Sequence, residues 1–290
     1  MNYIKSGLKP GLWFVGVPIG TARDITLRAL DVLASADVLA AEDSRSLRKL
    51  MDIHGVPLDG RRIEVLHDHS GPDALTRLVD KARDQSVAYA SEAGMPGIAD
   101  PGFELARAAH NAGVPVTSAP GPSAAVTALA VAGLPTDAFH FAGFLPNARA
   151  ARKKALSALA DIPATLVFYE SPKRLRAMLE DAAEVFGADR QGAICRELTK
   201  RFEETRCNTL KSLIDSLGSQ TIKGEIVVLI ARGKPTRVRE IDMDEALVSA
   251  LGTMSTKDAA SFVAETLGVP RRRVYQRALD LARDMSAPQD

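Results

Sequence analysis

Short apolar runs closed off by Gly, Pro or Asp alternate with longer amphipathic stretches through most of the 290 residues. No other feature constrains the fold as much. A strand buried on both faces reads as a short continuous apolar run, and a helix lying over such a sheet shows apolar residues at a spacing of three and four. Their alternation is the rhythm of βαβ units and a mostly parallel sheet. Strands are expected at 12–16, 38–41, 63–66, 87–90 and 114–118, with helices at 24–35, 44–53, 72–84 and 102–112 between them. Together they make one doubly wound domain over 1–120. A helix at 123–132 leads into a second α/β domain over 121–232, with strands at 139–143, 165–169, 192–195 and 225–231 and helices at 149–160 and 172–185. The stretch 232–240 reads as a linker, and helices at 243–251, 256–267 and 271–285 form a helical extension over 241–290.

Composition removes several classes. With 46% hydrophobic residues the chain is neither disordered nor fibrous, and its length suits about two domains of roughly 100 to 150 residues. Cys195 and Cys207 form no CxxC pair and the N-terminus carries no signal-like apolar run, so a reduced, cytoplasmic protein is expected. No run approaches the ~20 apolar residues of a membrane helix. Lys plus Arg number 37 against 36 Asp plus Glu, a net charge of +1, which offers no bulk attraction for nucleic acid. By segment the picture changes. Residues 1–144 hold 13 basic and 16 acidic side chains, net −3, and residues 145–215 hold 13 and 10, net +3.

Three loops follow expected strands at the carboxyl edge of the first sheet, where open α/β sheets take ligands. The first, Val17-Pro18-Ile19-Gly20-Thr21, runs toward a helix N-terminus, yet it carries neither GxGxxG nor GxxxxGK[ST], so neither phosphate-binding fingerprint applies. The second, 91–102, is SEAGMPGIADPG, in which glycines permit unusual dihedrals while prolines stiffen the chain. Asp100 is a candidate there both for ligand contact and for capping the next helix. The third, Pro120-Gly121-Pro122-Ser123-Ala124, places Ser123 as a helix cap or as a ligand contact.

These loops, with AEDSR at 41–45, HDH at 67–69, GFLP at 143–146, FYES at 168–171, RELTK at 196–200 and KGE at 223–225, resemble the ribosomal RNA-modifying branch of the tetrapyrrole methylase superfamily. Matching blocks run in order over about 11–230, and the tail resembles that branch's helix-turn-helix extension. The resemblance implies two α/β domains with a donor cleft between them, plus a small all-α helix-turn-helix-like extension. It implies S-adenosyl-L-methionine as methyl donor, transfer to the 2′-oxygen of cytidine 1402 in 16S rRNA of the small ribosomal subunit, and a homodimer. It places Pro18, Gly20, Glu92, Gly94, Met95, Ile98, Ser123, Ala124, Tyr169, Leu198, Gly224 and Glu225 against the donor. One departure stands out. The family pattern SDAGTP is Ser91-Glu92-Ala93-Gly94-Met95-Pro96 here, so a carboxylate sits one methylene further out and a hydroxyl is lost.

Transfer to a ribose hydroxyl needs a group to take its proton. Candidates are Glu42, Asp43, His67, Asp68, His69, Glu170 and Glu197, with Arg45 as a phosphate or carboxylate partner. Asp43 or Ser44 is equally suited to cap the next helix. Two imidazoles alternating at a strand end point to opposite sides, so no metal is expected from His67 and His69. Expected RNA contacts are Lys153, Lys154, Lys173, Arg174, Lys200 and Arg201 in the basic second domain, and Arg271, Arg272 and Arg273 in the extension, where Gly268 and Pro270 mark a helix-turn-helix corner. Two rivals remain: a methyltransferase of a small molecule such as a tetrapyrrole, and a nucleic-acid docking module without catalysis.

Overall fold

The computed structural model describes residues 2–67, 70–99, 102–218, 222–233, 240–267 and 269–286. Asp68, His69, Asp100, Gly268 and most of the expected linker lie outside the described residues. The chain divides into two compact units, 1–232 and 233–290.

The first unit opens with five strands: β1 (Gly11–Val15), β2 (Val38–Ala41), β3 (Ile63–Val65), β4 (Ser86–Ala90) and β5 (Val116–Ala119). They form one sheet in the order β3-β2-β4-β1-β5, every pairing parallel. Helices α1 (Leu27–Ser35), α2 (Ser44–Ile53), α3 (Pro72–Lys81) and α4 (Gly102–Asn111) supply the crossovers. Each face of the sheet has its own core. Leu30, Leu33, Leu47 and Met51 cover one, and Leu78, Leu105 and Ala109 the other. Central β4 is accordingly buried at every position, as a parallel sheet covered on both sides requires.

Helix α5 (Ala124–Val131) follows β5 and packs on the second sheet, its Ala125 and Ala128 against Val167, Ala193, Val227 and Leu229. That sheet holds β6 (Phe139–Phe144), β7 (Thr165–Glu170), β8 (Gln191–Arg196), β9 (Glu204–Thr209) and β10 (Ile226–Ile230) in the order β6-β7-β10-β8-β9. Helices α6 (Arg149–Ala158), α7 (Leu175–Phe186) and α8 (Leu210–Ser216) cover its far face. Only β6 and β7 run parallel, and the other three pairings are antiparallel. The mostly parallel expectation therefore holds for the first sheet alone. For β8 and β9 the reason is the connection, since β8 turns straight back into β9 through the seven-residue loop 197–203, too short to cross over to a parallel neighbour. Beneath α6 and α7, buried Asp181 accepts hydrogen bonds from Arg149 Nε (2.9 Å) and Arg152 Nε (2.8 Å), pinning the two helices together.

In the second unit, α9 (Glu240–Leu251), α10 (Thr256–Leu267) and α11 (Arg271–Ser286) enclose a small core of Met243, Leu247, Ala260, Val263, Val274 and Ala278. Ser255 caps α10, its Oγ accepting from Asp258 N at 3.2 Å. Arg277 grips both carboxylate oxygens of Asp244, joining α11 to α9.

Candidate functional site

The carboxyl ends of β1, β4 and β5 bring the three glycine-rich loops to one place. Val17 and Gly94 exchange backbone hydrogen bonds of 2.9 and 3.1 Å, and Gly16 crosses Gly121 so closely that a Cβ on Gly16 would sit 2.5 Å from Gly121 N. Met95 Sδ fills the remaining space and accepts from Gly121 N at 3.2 Å. Gly94 holds φ of +76° and Gly97 of +87°, left-handed conformations that other residues adopt only with strain. These loops are locked together by backbone.

Against them stands the edge of the second sheet. The loop after β8 carries Glu197 and Thr199 at φ of +51° and +63°, uncommon for residues with a side chain. Thr199 Oγ1 accepts from Thr21 N at 3.2 Å, so this loop is bonded to the first one. Glu197 Oε1 accepts from Glu225 N (3.0 Å) and Lys200 Nζ (3.2 Å). The Glu225 backbone N–H, with Lys200 adding, holds the Glu197 carboxyl below its ordinary range. A Cβ on Gly224 would meet that carboxylate at 2.5 Å.

Between the two lies a cleft of about 650 Å³. Pro18, Gly20, Glu92, Gly94, Met95, Ile98, Ser123, Ala124, Tyr169, Leu198, Gly224 and Glu225 all line it, as does Glu42. Its carboxylates are Glu42, Glu92, Glu170 and Glu225, and Lys200 is its one lining cation among the described residues. Lys200 is itself bound to Glu197 and Glu225. The cleft therefore favours a cation. Ser123 occupies the N-cap position of α5 without any capping hydrogen bond from its side chain, which leaves its hydroxyl for a ligand. Glu42 Oε2 accepts from Glu92 N at 3.1 Å, linking two of the cleft's carboxylate residues.

Other sequence candidates fall elsewhere. Asp43 caps α2, accepting from Arg45 N (2.8 Å) and Ser46 Oγ (3.2 Å); the Arg45 amide holds its carboxyl below the usual range. Neither Asp43, Arg45 nor His67 lines the cleft. His67 is exposed at the end of β3, where its N–H donates to Ser70 Oγ. Lys153 pairs with Glu184. Arg174 pairs with Glu170 and donates to Asn147 Oδ1 and the Leu145 carbonyl, bracing the GFLP loop. Lys154, Lys173 and Arg201 are exposed, Arg201 lying over the Phe202 ring, and Arg271, Arg272 and Arg273 are exposed on α11.

Phe144, Ser46 and Cys195 line the cleft without having been singled out as individual site residues. Phe144 is 60% exposed, and with Phe141 it packs edge-on to Tyr169, at centroid distances of 5.6 and 4.9 Å. Its only sequence signal was its place in the GFLP block. Cys195 lies at the cleft floor, where burial pushes its thiol up to about 11, so it is inert as a nucleophile. Burial likewise pushes Glu170 upward.

The family model described as Tetrapyrrole (Corrin/Porphyrin) Methylases matches residues 11–214, and the one described as RsmI C-terminal HTH domain matches 238–282. A Mesorhizobium japonicum protein named Ribosomal RNA small subunit methyltransferase I is 44% identical over 94% of this chain and 93% of its own. A Halalkalibacterium halodurans protein of the same name is 39% identical over 94% and 96%. Among solved structures, a diphthine synthase superposes with a TM-score of 0.59 at 18% identity, over 76% of this chain and 89% of its own. A uroporphyrin-III-C-methyltransferase from Thermus thermophilus gives 0.54 at 24%, over 80% and 98%. At those identities the solved structures speak for the fold alone, and the curated relatives with the two family models carry the conclusion: this chain belongs to the ribosomal RNA small subunit methyltransferase I family, within the tetrapyrrole methylases.

Proposed function

We propose that the protein uses S-adenosyl-L-methionine to methylate the 2′-oxygen of cytidine 1402 in the decoding region of 16S rRNA. The acidic, glycine-cradled cleft carries this reading: four carboxylates face one neutralised lysine, which suits a sulfonium. Gly94, free of a Cβ at φ of +76°, lets backbone approach the donor, and the Ser123 hydroxyl and the Tyr169 and Leu198 side chains border it. The residues present therefore fit the donor. Bound there, it supplies an electrophilic methyl group whose displacement leaves a neutral thioether.

What the chain's own groups do is hold the hydroxyl and take its proton. Of the five sequence candidates for that base among the described residues, Glu42 and Glu170 line the cleft. Glu170 Oε1 is engaged by Ser171 N and Arg174. Glu170 is 3% exposed and paired with Arg174, whereas Glu42, on the loop that leads from β2 into α2 and accepting from Glu92 N, is only half-buried beside the donor loops, and it is the base in this reading. Positioning of donor and acceptor provides the larger part of the acceleration, and general base catalysis adds about 10²–10⁴-fold. Glu42→Gln should lower kcat by about that factor, while S-adenosylhomocysteine binding measured by calorimetry stays at the wild-type level.

The substrate assignment is tested with labelled donor on unmodified 30S particles and, in parallel, on a porphyrinoid. Label in the rRNA at the decoding region supports it, and label only in the porphyrinoid points to a tetrapyrrole substrate instead. A homodimer is supported by α5, apolar at every position but Thr127, and by exposed Val126, Val131 and Phe139; sedimentation equilibrium reads the mass. Among the described residues no helix is long and apolar enough to cross a membrane; the cytoplasmic location in this reading follows from the ribosomal substrate.

A further inference from the structure

We infer that the RNA strand leaves the cleft along α2, in the acidic half of the first unit, where Arg45, Arg48 and Lys49 hold its phosphates. The inference rests on the RNA reading above and adds a path to it. A groove of about 220 Å³ opens off the cleft between α2 and the Val17–Thr21 loop, sharing Pro18, Gly20, Ser46, Ser91 and Glu92 with it. Its floor is apolar, made by Leu50 and Ile53 over the buried Leu47, and Lys49 stands at its edge, with Arg45 and Arg48 outside the groove on the neighbouring surface of α2. Ile53 is 56% exposed.

Helical spacing sets the cations. Positions 45, 48 and 49 fall on one face of α2, while Leu47 and Met51 point into the core. All three cationic side chains are exposed, and none makes an ion pair among the described residues. Arg23, exposed and likewise without an ion pair among those residues, adds a fourth cation on the turn that His54 ties to the end of α2 through a 2.8 Å bond to the Ala22 carbonyl. Asp52, the acid on the exposed face of α2, pairs with none of them. On the second-sheet side the cations nearest the cleft are committed, Lys200 to Glu197 and Glu225 and Arg174 to Glu170, and Lys173 beside the cleft-lining Pro172 is the exposed one that the comparison variant below removes. Glu42 and Glu92 at the cleft itself repel phosphate. Phosphates flanking the reacting ribose are thus turned away from the cleft and received by α2, while an apolar floor accepts a base face.

The salt dependence of RNA binding tests this directly. Full-length Arg48→Ala/Lys49→Ala protein, wild type and a Lys154→Ala/Lys173→Ala comparison would be titrated with a decoding-region rRNA fragment over a range of salt. Each single-strand phosphate that goes unneutralised flattens the log–log slope by about 0.7. With two such phosphates, the slope of the α2 variant should be flatter by about 1.4, and the variant should bind severalfold more weakly at low salt. Arg48→Lys/Lys49→Arg should keep the wild-type slope. S-adenosylhomocysteine affinity should be unchanged in all of them, which controls for folding. If wild type binds the fragment but the α2 variant keeps its slope, or the whole flattening appears in the Lys154/Lys173 comparison, the path along α2 is wrong and the RNA reading stands. If wild type neither binds nor methylates the fragment or the 30S particle, both readings fall.

Discussion

Met95 stands where the family pattern has threonine, and its thioether lies against Gly121 N at the crossing of Gly16 and Gly121. Glu92, by contrast, keeps its charge and stays exposed at the cleft's rim. On the opposite wall the sensitive position is Gly224. At φ of +97°, with the Glu197 carboxylate 2.5 Å from where a Cβ would be, alanine there forces both backbone strain and displacement of Glu197. That carboxylate holds Lys200 and the Glu225 amide, so the second wall loosens. Gly224→Ala should cost about 1–3 kcal/mol of stability and raise the donor KM more than it lowers kcat. Urea unfolding and steady-state kinetics check the two parts, and a variant with unaltered stability would mean that Glu197 yields freely.

At the scale of elements, α6 and α7 are joined by charge as much as by packing. Asp181 is 1% exposed and Arg152 5%, and removing one partner of such a buried pair leaves a charge without compensation. Asp181→Asn should therefore cost on the order of 3 kcal/mol. Burial alone would raise the Asp181 pKa, and the two guanidiniums more than reverse that, leaving it below the ordinary carboxylate value. Since the folded value lies below the unfolded one, this stabilisation is fully present above the ordinary carboxylate range and is lost as pH falls through the lowered value. Unfolding free energy measured down an acid series should fall more steeply for wild type than for Asp181→Asn. Parallel slopes would show that other carboxylates control acid unfolding.

The same scale shows what a sequence reading could and could not reach. The inner strands β1, β2 and β4 were legible because they are largely buried, short apolar runs, and the edge strands β3 and β5, with Glu64 and with Thr117 and Ser118, were legible from their place in the alternation with helices. Strand β9, Glu-Thr-Arg-Cys-Asn-Thr, was not, since it is an edge strand with polar side chains facing outward and no apolar alternation. Helix α8, seven residues long, was hidden behind it, although Thr209 caps it and Leu210 and Leu213 are buried. Pro18, Gly20, Gly94 and Ser123 were legible because they sit in glycine- and proline-rich loops after strands of the first sheet, whereas Tyr169, on β7, and Leu198 came from the family resemblance. The commitments of individual cations, Arg174 to loop carbonyls and Lys200 to two glutamates, depend on pairs 3 to 29 positions apart and leave no local pattern.

For the whole molecule, the net charge of +1 hides both a segregation by segment and a pairing of many of the cations that segregation seemed to supply. The helical unit 233–290 has its own core and its own Arg277–Asp244 pair, and 1–232 holds both sheets and the entire cleft. Neither core needs the other's side chains, so deletion of 241–290 should leave a folded protein. If the cleft binds the donor and α11 engages phosphates through Arg271 and Arg272, the truncated chain should bind S-adenosylhomocysteine with the full-length affinity. It should also show a flatter salt slope for rRNA, by about 0.7 for each single-strand phosphate that α11 neutralises, and a raised KM for 30S particles at nearly unchanged kcat. Calorimetry, salt titration and kinetics on one preparation separate these. Loss of donor binding on truncation would tie the cleft's integrity to the extension, and an unchanged salt slope would remove α11 from the RNA interface.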